Sequence, residues 1–467
     1  MWLNNYNLKD TIAAIATFPS TSALGVIKIS GSKALSIVAK IFLPKNKKNI
    51  KEEKTYTLHY GWIVDRFSKE KAPRIIDEVL VSIMRGPYSY TREDVVEISS
   101  HGGIVVLNKI LSLVLKGGGR LAQPGEFSYR AFIKGRIDLI QAQAILDIVE
   151  AKTERFLLSS TRQLKGDFSS KLNTIKDLLR NLVYKLEAYI NFPDDQIIIN
   201  LKELRGVLRK TKNTLKRFLE DSRDCRIFRE GIQCVICGKA NVGKSTLFNC
   251  LLKEERAIVT HIPATTRDVV EETINIKGLP VVISDTAGIL EPKDFVDKKA
   301  IEKSYRKLKE ADIVLFVLDT SQNLSKDDFS LWEKIKEKNV IFVINKIDLK
   351  KGLEIKKLKP SRKPIVRISA LKHIGINKLE EAIFKLSYRK SLRTESNQFI
   401  LSQWQEDILK RILIKIDEAD GLIQKGYSYD FIILPLKESL EEIGKLMGEN
   451  ISEEILKEIF SKFCIGK

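Results

Sequence analysis

The sequence is short of the features that mark secreted and membrane proteins. Cysteine is scarce: Cys225, Cys234, Cys237, Cys250 and Cys464 are the five in 467 residues. An odd, thinly spread set argues against a disulfide framework. Cys234 and Cys237 have C-x-x-C spacing, but no second such pair completes a zinc site. They lie in "QCVIC", which reads as a buried strand. Residues three apart in a strand point to opposite faces, so both are expected to be core residues. No apolar run reaches the roughly 18 residues that a membrane-spanning helix needs. The start, "MWLNNYNLKDTIAAIATFPS", has no basic end leading a long apolar stretch. No signal peptide is therefore expected, and the cytoplasm is the expected compartment. Internal repeats and low-complexity tracts are also missing.

Positive charge is abundant. Against 60 Asp and Glu stand 80 Lys and Arg, for a net +20. Scattered lysines can serve solubility alone, but an excess of this size favours a polyanionic partner, nucleic acid before an acidic membrane surface. With 43% hydrophobic residues the chain can build several cores, and its length suits two to four domains.

The pattern changes along the chain. Residues 1–125 mix short strands ("TIAAIATF", "LGVIKIS", "EVLVSIM") with Gly and Pro punctuation, and "GIVVLNKILSLVLKGGG" has helical spacing with a glycine stop. This predicts a small α+β domain. From about Leu139, apolar residues recur at threes and fours (Ile145, Ile148, Leu164, Phe168, Leu172, Ile175, Leu179, Leu182, Leu186 and Ile190), the amphipathic-helix pattern. Residues 229–390 alternate strand and helix, which predicts a mostly parallel sheet covered on both faces. The chain then turns helical again, with Ser452 as the expected N-cap of "ISEEILKEIFSKF". The economical architecture is α+β multidomain: an N-terminal α+β domain (1–125), a helical domain from two segments (126–228 and 391–467), and an α/β domain (229–390) inserted between them.

The inserted domain carries the chemistry. "GKANVGKS", Gly238 to Ser245, matches G-x-x-x-x-G-K-[ST] between a strand and a helix, so backbone N–H groups and a helix N-terminus should cradle phosphates. Asn241, Val242, Gly243, Lys244, Ser245 and Thr246 are the expected contacts. Lys244 should reach the outer phosphates and Ser245 should ligate Mg²⁺. In "VVISDTAG", Asp285 suits a water-mediated hold on Mg²⁺ and Gly288 offers its N–H to the terminal phosphate, with Thr286 and Ala287 between. "NKID" decides the base. Asp348 can accept from the ring N–H and the exocyclic amine of guanine, whereas adenine would leave it unpaired, a discrimination of roughly 10⁴-fold. Asn345 and Lys346 brace that loop, and Ser369 and Ala370 supply backbone at the other edge. Four elements in this order predict a Ras-like P-loop GTPase domain. Ile289 follows the DTAG string where a Ras-like switch has a water-orienting glutamine, so another group must position water.

"THIPATTRD" resembles the switch of translation-factor-related GTPases that use potassium in place of an arginine finger. That resemblance implies GTP contacts at Thr260, His261, Ile262, Pro263, Ala264, Thr265 and Thr266. It implies K⁺ held by Asn241 and by oxygens of Thr260, Ile262 and Thr265, with Thr266 on Mg²⁺. An arginine in this role is worth about 10³–10⁵ in rate.

Over the whole chain, "TREDVVEISSHGG", "AQPGEFSYRAFIKGRIDLIQAQAILDIVEA", "EAYINFPDDQI", "IVTHIPATTRDVVEE" and the tail "FCIGK" resemble, in order, the tRNA modification GTPase family MnmE (TrmE). The resemblance implies a homodimer that joins an FAD-containing MnmG-like protein in a heterotetramer. That assembly places an aminomethyl-type group on C5 of a tRNA wobble uridine. A tetrahydrofolate derivative of the 5-formyl or methylene type supplies the one-carbon unit. The N-terminal domain is then of the folate-binding type, with contacts at Lys28, Glu97, Arg136 and Lys467. Catalytic roles fall to Asp297, at the family's water-positioning glutamate, and to Cys464. Two departures stand out. Lys28 replaces an arginine and loses its bidentate fork. Asp297 is one methylene short, a reach deficit of about 1.5 Å that can cost ~10²-fold. The competing reading is an RNA-binding assembly switch without covalent chemistry. No membrane partner is expected.

Overall fold

The computed structural model describes residues 8–18, 20–68, 72–192, 194, 198–254, 271–285, 307–358, 363–387 and 399–467. The chain divides into two compact units. One comprises Met1–Val149, Thr161–Lys212 and Asp407–Lys467; the other comprises Glu150–Ser160 and Asn213–Glu406.

The first unit holds a sheet of seven described strands: β1 (Ile12–Ile15), β2 (Ser22–Ser30), β3 (Phe42–Pro44), β4 (Thr57–Asp65), β5 (Arg74–Met84), β6 (Val95–Gly102) and β7 (Arg120–Leu121). Their lateral order is β3-β4-β5-β6-β2-β1-β7. Neighbours run antiparallel except β1 and β7. Side-chain alternation decides the faces. Val79, Val81 and Ile83 of β5 share a core with Leu35 and Val38 of the helix Ala34–Ile41 and with Leu107, Ile110 and Leu113 of the helix Ile104–Lys116. The opposite side carries exposed Leu24, Leu58, Tyr60 and Leu80, with Tyr60 directly opposite Leu80 and Leu80 opposite Ser99. Lys28 and Glu97 are cross-strand partners two positions further along the same side.

Most of the predicted apolar stripe is realised in the helix Asp167–Asn191, which buries Phe168, Leu172, Ile175, Leu179, Leu182 and Leu186; Ile190 at its end, and Ile145, Ile148 and Leu164 in the helices Leu139–Val149 and Glu154–Lys165, are only half-buried. The helix packs against Tyr429–Met447, and Lys176 Nζ donates to Glu449 Oε1 at 2.6 Å. The helical layer is thus assembled from both flanks of residues 213–406. Ser452 is the N-cap of the helix Glu453–Ser461, but its side chain makes no capping hydrogen bond; Glu453 and Glu454 supply the acidic first turn.

The second unit holds β8 (Ile232–Cys237), β9 (Glu271–Ile276), β10 (Leu279–Asp285), β11 (Ile313–Asp319), β12 (Val340–Asn345) and β13 (Ile365–Arg367), in the order β13-β12-β11-β8-β10-β9. All pairs are parallel except β10–β9. Every residue of β11 and β12 is buried, as a sheet covered on both faces requires. Cys234 lies in one core with Ile232 and Ile236, and Cys237 in the other with Val235. They face opposite ways, as the strand spacing predicts. Burial pushes the Cys237 thiol up to about 12, so it is an inert packing group. The parallel strands end on one edge of the sheet, where ligands bind in open α/β folds.

Candidate functional site

The phosphate loop leaves β8 and enters the helix Lys244–Glu254. Gly243 has φ 94°, and a Cβ there would lie 2.4 Å from Asn345 Nδ2, so only glycine fits. Asn241 holds φ 63°, a conformation that asparagine tolerates better than most residues. Lys244 Nζ donates to Lys239 O at 2.8 Å. Val242 is buried, and Ser245 and Thr246 open the helix as exposed residues. A helix N-terminus behind such a loop favours an anion.

The base-recognition residues are tied to this loop. Asn345 Nδ2 donates to Val242 O at 2.9 Å, and its Oδ1 accepts from Ala370 N at 3.0 Å. One side chain therefore joins three loops. Lys346 Nζ donates to Asn241 O at 2.7 Å. Ser369 Oγ donates to Asp348 Oδ1 at 2.7 Å; that bond holds the Asp348 carboxyl below the usual carboxylate range. The exposed carboxylate is thus ionised and oriented, as an acceptor for two donors of a purine edge must be. Asp285 closes β10 opposite Ile236. The predicted residues Thr260, His261, Ile262, Pro263, Ala264, Thr265, Thr266, Thr286, Ala287, Gly288 and Asp297 lie outside the described residues.

A second site lies in the first unit. Lys28, Arg136 and Lys467 line one cavity of about 610 Å³ with Tyr90, Gln141 and Leu164, a size typical of small-molecule sites. Glu97 stands beside it, its Oε1 3.9 Å from Lys28 Nζ. The cations come from three places: β2, the turn after the helix Glu126–Ile133, and the last turn of the chain. Burial pushes the Lys28 ammonium below the ordinary lysine range; Glu97 opposes this, while Lys467 and Arg136 add to it. Three converging cations repel one another, and an anionic ligand relieves that repulsion. Cys464 is exposed, and Lys467 N donates to Cys464 O at 3.3 Å in the same turn.

Two features had no signal in the sequence. Tyr90 lies under two of the cations: Lys28 Nζ is 4.6 Å and Arg136 Cζ 5.1 Å from its ring centroid. Its hydroxyl is 2.8 Å from Ser128 Oγ. With Phe127 5.2 Å from Lys28 Nζ, the two rings make an aromatic corner for a compact ammonium. The second feature is a buried ionic cluster. Fully buried Arg130 donates to Asp10 Oδ1 at 2.9 Å, Glu126 Oε1 at 3.0 Å and Glu93 Oε2 at 3.1 Å. Arg120 and Lys134 share these carboxylates. The cluster pins the helix Glu126–Ile133 to the segment that carries Tyr90.

A family model described as MnmE helical domain matches residues 139–464, and one described as GTP-binding protein TrmE N-terminus matches residues 11–136. A tRNA modification GTPase MnmE of Thermoanaerobacter pseudethanolicus is 44% identical over 461 residues, covering 98% of this chain and 99% of its own. That of Desulforamulus reducens is 43% identical over 467 residues, covering 98% and 100%. Among solved structures, a variant of Era from Aquifex aeolicus bound to GDP and AlF4⁻ is 32% identical. It covers 40% of this chain and 66% of that one, with a TM-score of 0.29. Two family models in tandem and identity above 40% along nearly the full length agree: the chain belongs to the MnmE family of tRNA modification GTPases.

Proposed function

We propose that this GTPase works with an FAD-containing, MnmG-like partner. Together they install an aminomethyl or carboxymethylaminomethyl group at C5 of the wobble uridine of certain tRNAs. The observation that carries the folate part is the convergence of Lys28, Arg136 and Lys467 on one cavity beside Glu97. The three cations suit the carboxylates of a tetrahydrofolate derivative, and Glu97 suits the N–H edge of its pterin. The folate, of the 5-formyl or methylene type, supplies the one-carbon unit. Exposed Cys464, in the turn that carries Lys467, is the candidate for contact with the uridine.

In the second unit, GTP is held with Mg²⁺ on Ser245 and Thr266, and K⁺ on Asn241, Thr260, Ile262 and Thr265. Asp297 orients the attacking water. Asn241 is exposed in the phosphate loop, which supports its role as a cation ligand. The exposed apolar residues of the first sheet, Leu24, Leu58, Tyr60 and Leu80, support a homodimer that joins its partner in a heterotetramer. Among the described residues no helix is long and apolar enough to cross a membrane, and we place the activity in the cytoplasm. The domain limits are those read from the sequence: 1–125, 126–228, 229–390 and 391–467. The deciding experiment is nucleoside analysis of tRNA from cells lacking the chain. Loss of the C5 group is expected, and unchanged wobble uridines would end this reading. GTP turnover should be faster in K⁺ than in Na⁺; equal rates would remove the potassium part alone.

A further inference from the structure

Two residues that meet across the nucleotide site hold left-handed backbone: Asn241 at φ 63° and Lys346 at φ 62°. Asparagine tolerates this conformation, but a lysine there is uncommon and needs something to keep it. Backbone bonds hold the turn, Leu349 N to Lys346 O at 2.9 Å and Ile347 N to Ile368 O at 3.2 Å, and Lys346 Nζ makes two further bonds. One goes to Asn241 O at 2.7 Å and the other to Asp319 Oδ2 at 2.7 Å. Asp319 closes β11 and is 2% exposed. Its other oxygen, Oδ1, accepts from Ser321 N at 2.8 Å and from Ser321 Oγ at 2.7 Å. The carboxylate is therefore fixed by its own turn before it meets the lysine. Asp319 belongs to none of the nucleotide motifs read from the sequence.

We propose that Asp319 is a positioning residue of the nucleotide site, acting through Lys346 on the carbonyl of Asn241 and so on the shape of the phosphate loop. Asn345 already staples Val242 to Ala370, so the loops stay together without Asp319. What Asp319 adds is a fixed negative charge. The Lys346 side chain is 32% exposed and has a flexible stem, so without that charge its ammonium is free to turn to water. Asn241 would then lose the donor on its carbonyl, and the loop would sample other backbone angles. The nucleotide consequence stands on the established GTPase activity. A second consequence, weaker hold on a monovalent cation by Asn241, rests on the potassium reading above.

Asp319→Asn tests the link with little change of shape. Its amide oxygen can keep both Ser321 bonds, which turns the NH₂ toward the Lys346 ammonium, donor against donor. The measurement is the dissociation constant of a fluorescent GDP derivative for the full chain carrying Asp319→Asn, Lys346→Met or both. Asp319→Asn should weaken binding about tenfold, the scale of one charge-assisted hydrogen bond. The double variant should bind no worse than Lys346→Met alone, because both changes break one connection. Asp319→Glu, which keeps the charge, should lie between wild type and Asp319→Asn. Ser321→Ala, which removes a partner of Asp319 but leaves Lys346 alone, should bind GDP like wild type. In GTP turnover, Asp319→Asn should also raise the potassium concentration for half-maximal rate several-fold. Wild-type GDP binding by Asp319→Asn, or independent and additive losses in the double variant, would overturn the proposal. If wild-type turnover is the same in K⁺ and Na⁺, the potassium reading falls, and the GDP cycle still decides the role of Asp319.

Discussion

Gly466→Ala should remove one cation from the cavity proposed for folate without unfolding the protein. Gly466 has φ 98°, and a Cβ there would lie 2.8 Å from Ala16 Cα and 3.0 Å from Ile15 O. Both are main-chain atoms at the end of β1, and Ala16 N is itself bonded to Val26 O at 2.7 Å, so the sheet cannot give way. Left-handed backbone costs an alanine roughly 1–2 kcal/mol, and the overlap adds roughly 1–3 kcal/mol. Relief comes most cheaply from the turn that carries Gly466, where Cys464, Ile465 and Lys467 are exposed. Phe463 is buried beside Phe460, centroid to centroid 5.6 Å, and anchors the turn up to that point. The residues after it would swing away and take Lys467 out of the cavity. Losing one charge-assisted contact of about 1.5–3 kcal/mol corresponds to about 10–100-fold weaker binding. The assay is calorimetric titration of the full chain with 5-formyltetrahydrofolate, with Lys467→Ala alongside. The two variants should match, with thermal midpoints close to wild type because Cys464, Ile465 and Lys467 of this turn are exposed and bury little. A Gly466→Ala protein that binds like wild type, while Lys467→Ala is weakened, would refute the reasoning.

Other outcomes follow from the same cavity and its support. Tyr90→Leu removes the ring beneath Lys28 and Arg136 and should weaken folate binding by about 1–2 kcal/mol, the scale of two partly buried cation–π contacts; Tyr90→Phe, which keeps the ring, should lose much less in the same titration. Since burial lowers the pKa of Lys28, its ammonium is lost at a lower pH than an ordinary lysine's, and anion binding should fall as the pH rises through that point. Lys28→Arg keeps its charge, so a binding profile followed into the alkaline range should lose that fall. Arg130→Met strips the buried carboxylates of their shared cation and should cost about 3 kcal/mol or more of stability, read by urea unfolding; a variant as stable as wild type would show that Arg120 and Lys134 suffice.

The nucleotide site was legible because its chemistry is local. Gly243, Lys244, Asn345 and Asp348 sit in short strings whose spacing follows from how a loop wraps a phosphate or meets a purine edge. The parallel sheet was legible because β11 and β12 are unbroken apolar runs, and the cysteine pair because a strand has period two. The cavity was not legible from spacing. Lys28, Arg136 and Lys467 are far apart in sequence and were linked only by resemblance to a family. Tyr90 and Arg130 were missed for a physical reason: an aromatic between two cations and an arginine among three carboxylates are properties of tertiary neighbours, and no local pattern encodes them. Asp319 was missed likewise, because its partner is another element's lysine. Ser452 was right as a boundary, but its expected side-chain bond is not made; the two acids behind it supply the favourable charge at the helix start.

The pairing of Asp167–Asn191 with Tyr429–Met447 has a consequence for how the protein is made. A ribosome emits the first helix long before the second. Domains tend to fold as units in the order of synthesis, so the first sheet and the nucleotide-binding unit can mature while the apolar stripe from Phe168 to Leu186 still lacks its partner. Lys467, the third cation of the cavity, follows both helices in the chain. A nascent chain should therefore acquire its nucleotide pocket early, keep an apolar helix face uncovered meanwhile, and complete the cavity proposed for folate only after its second helix has emerged.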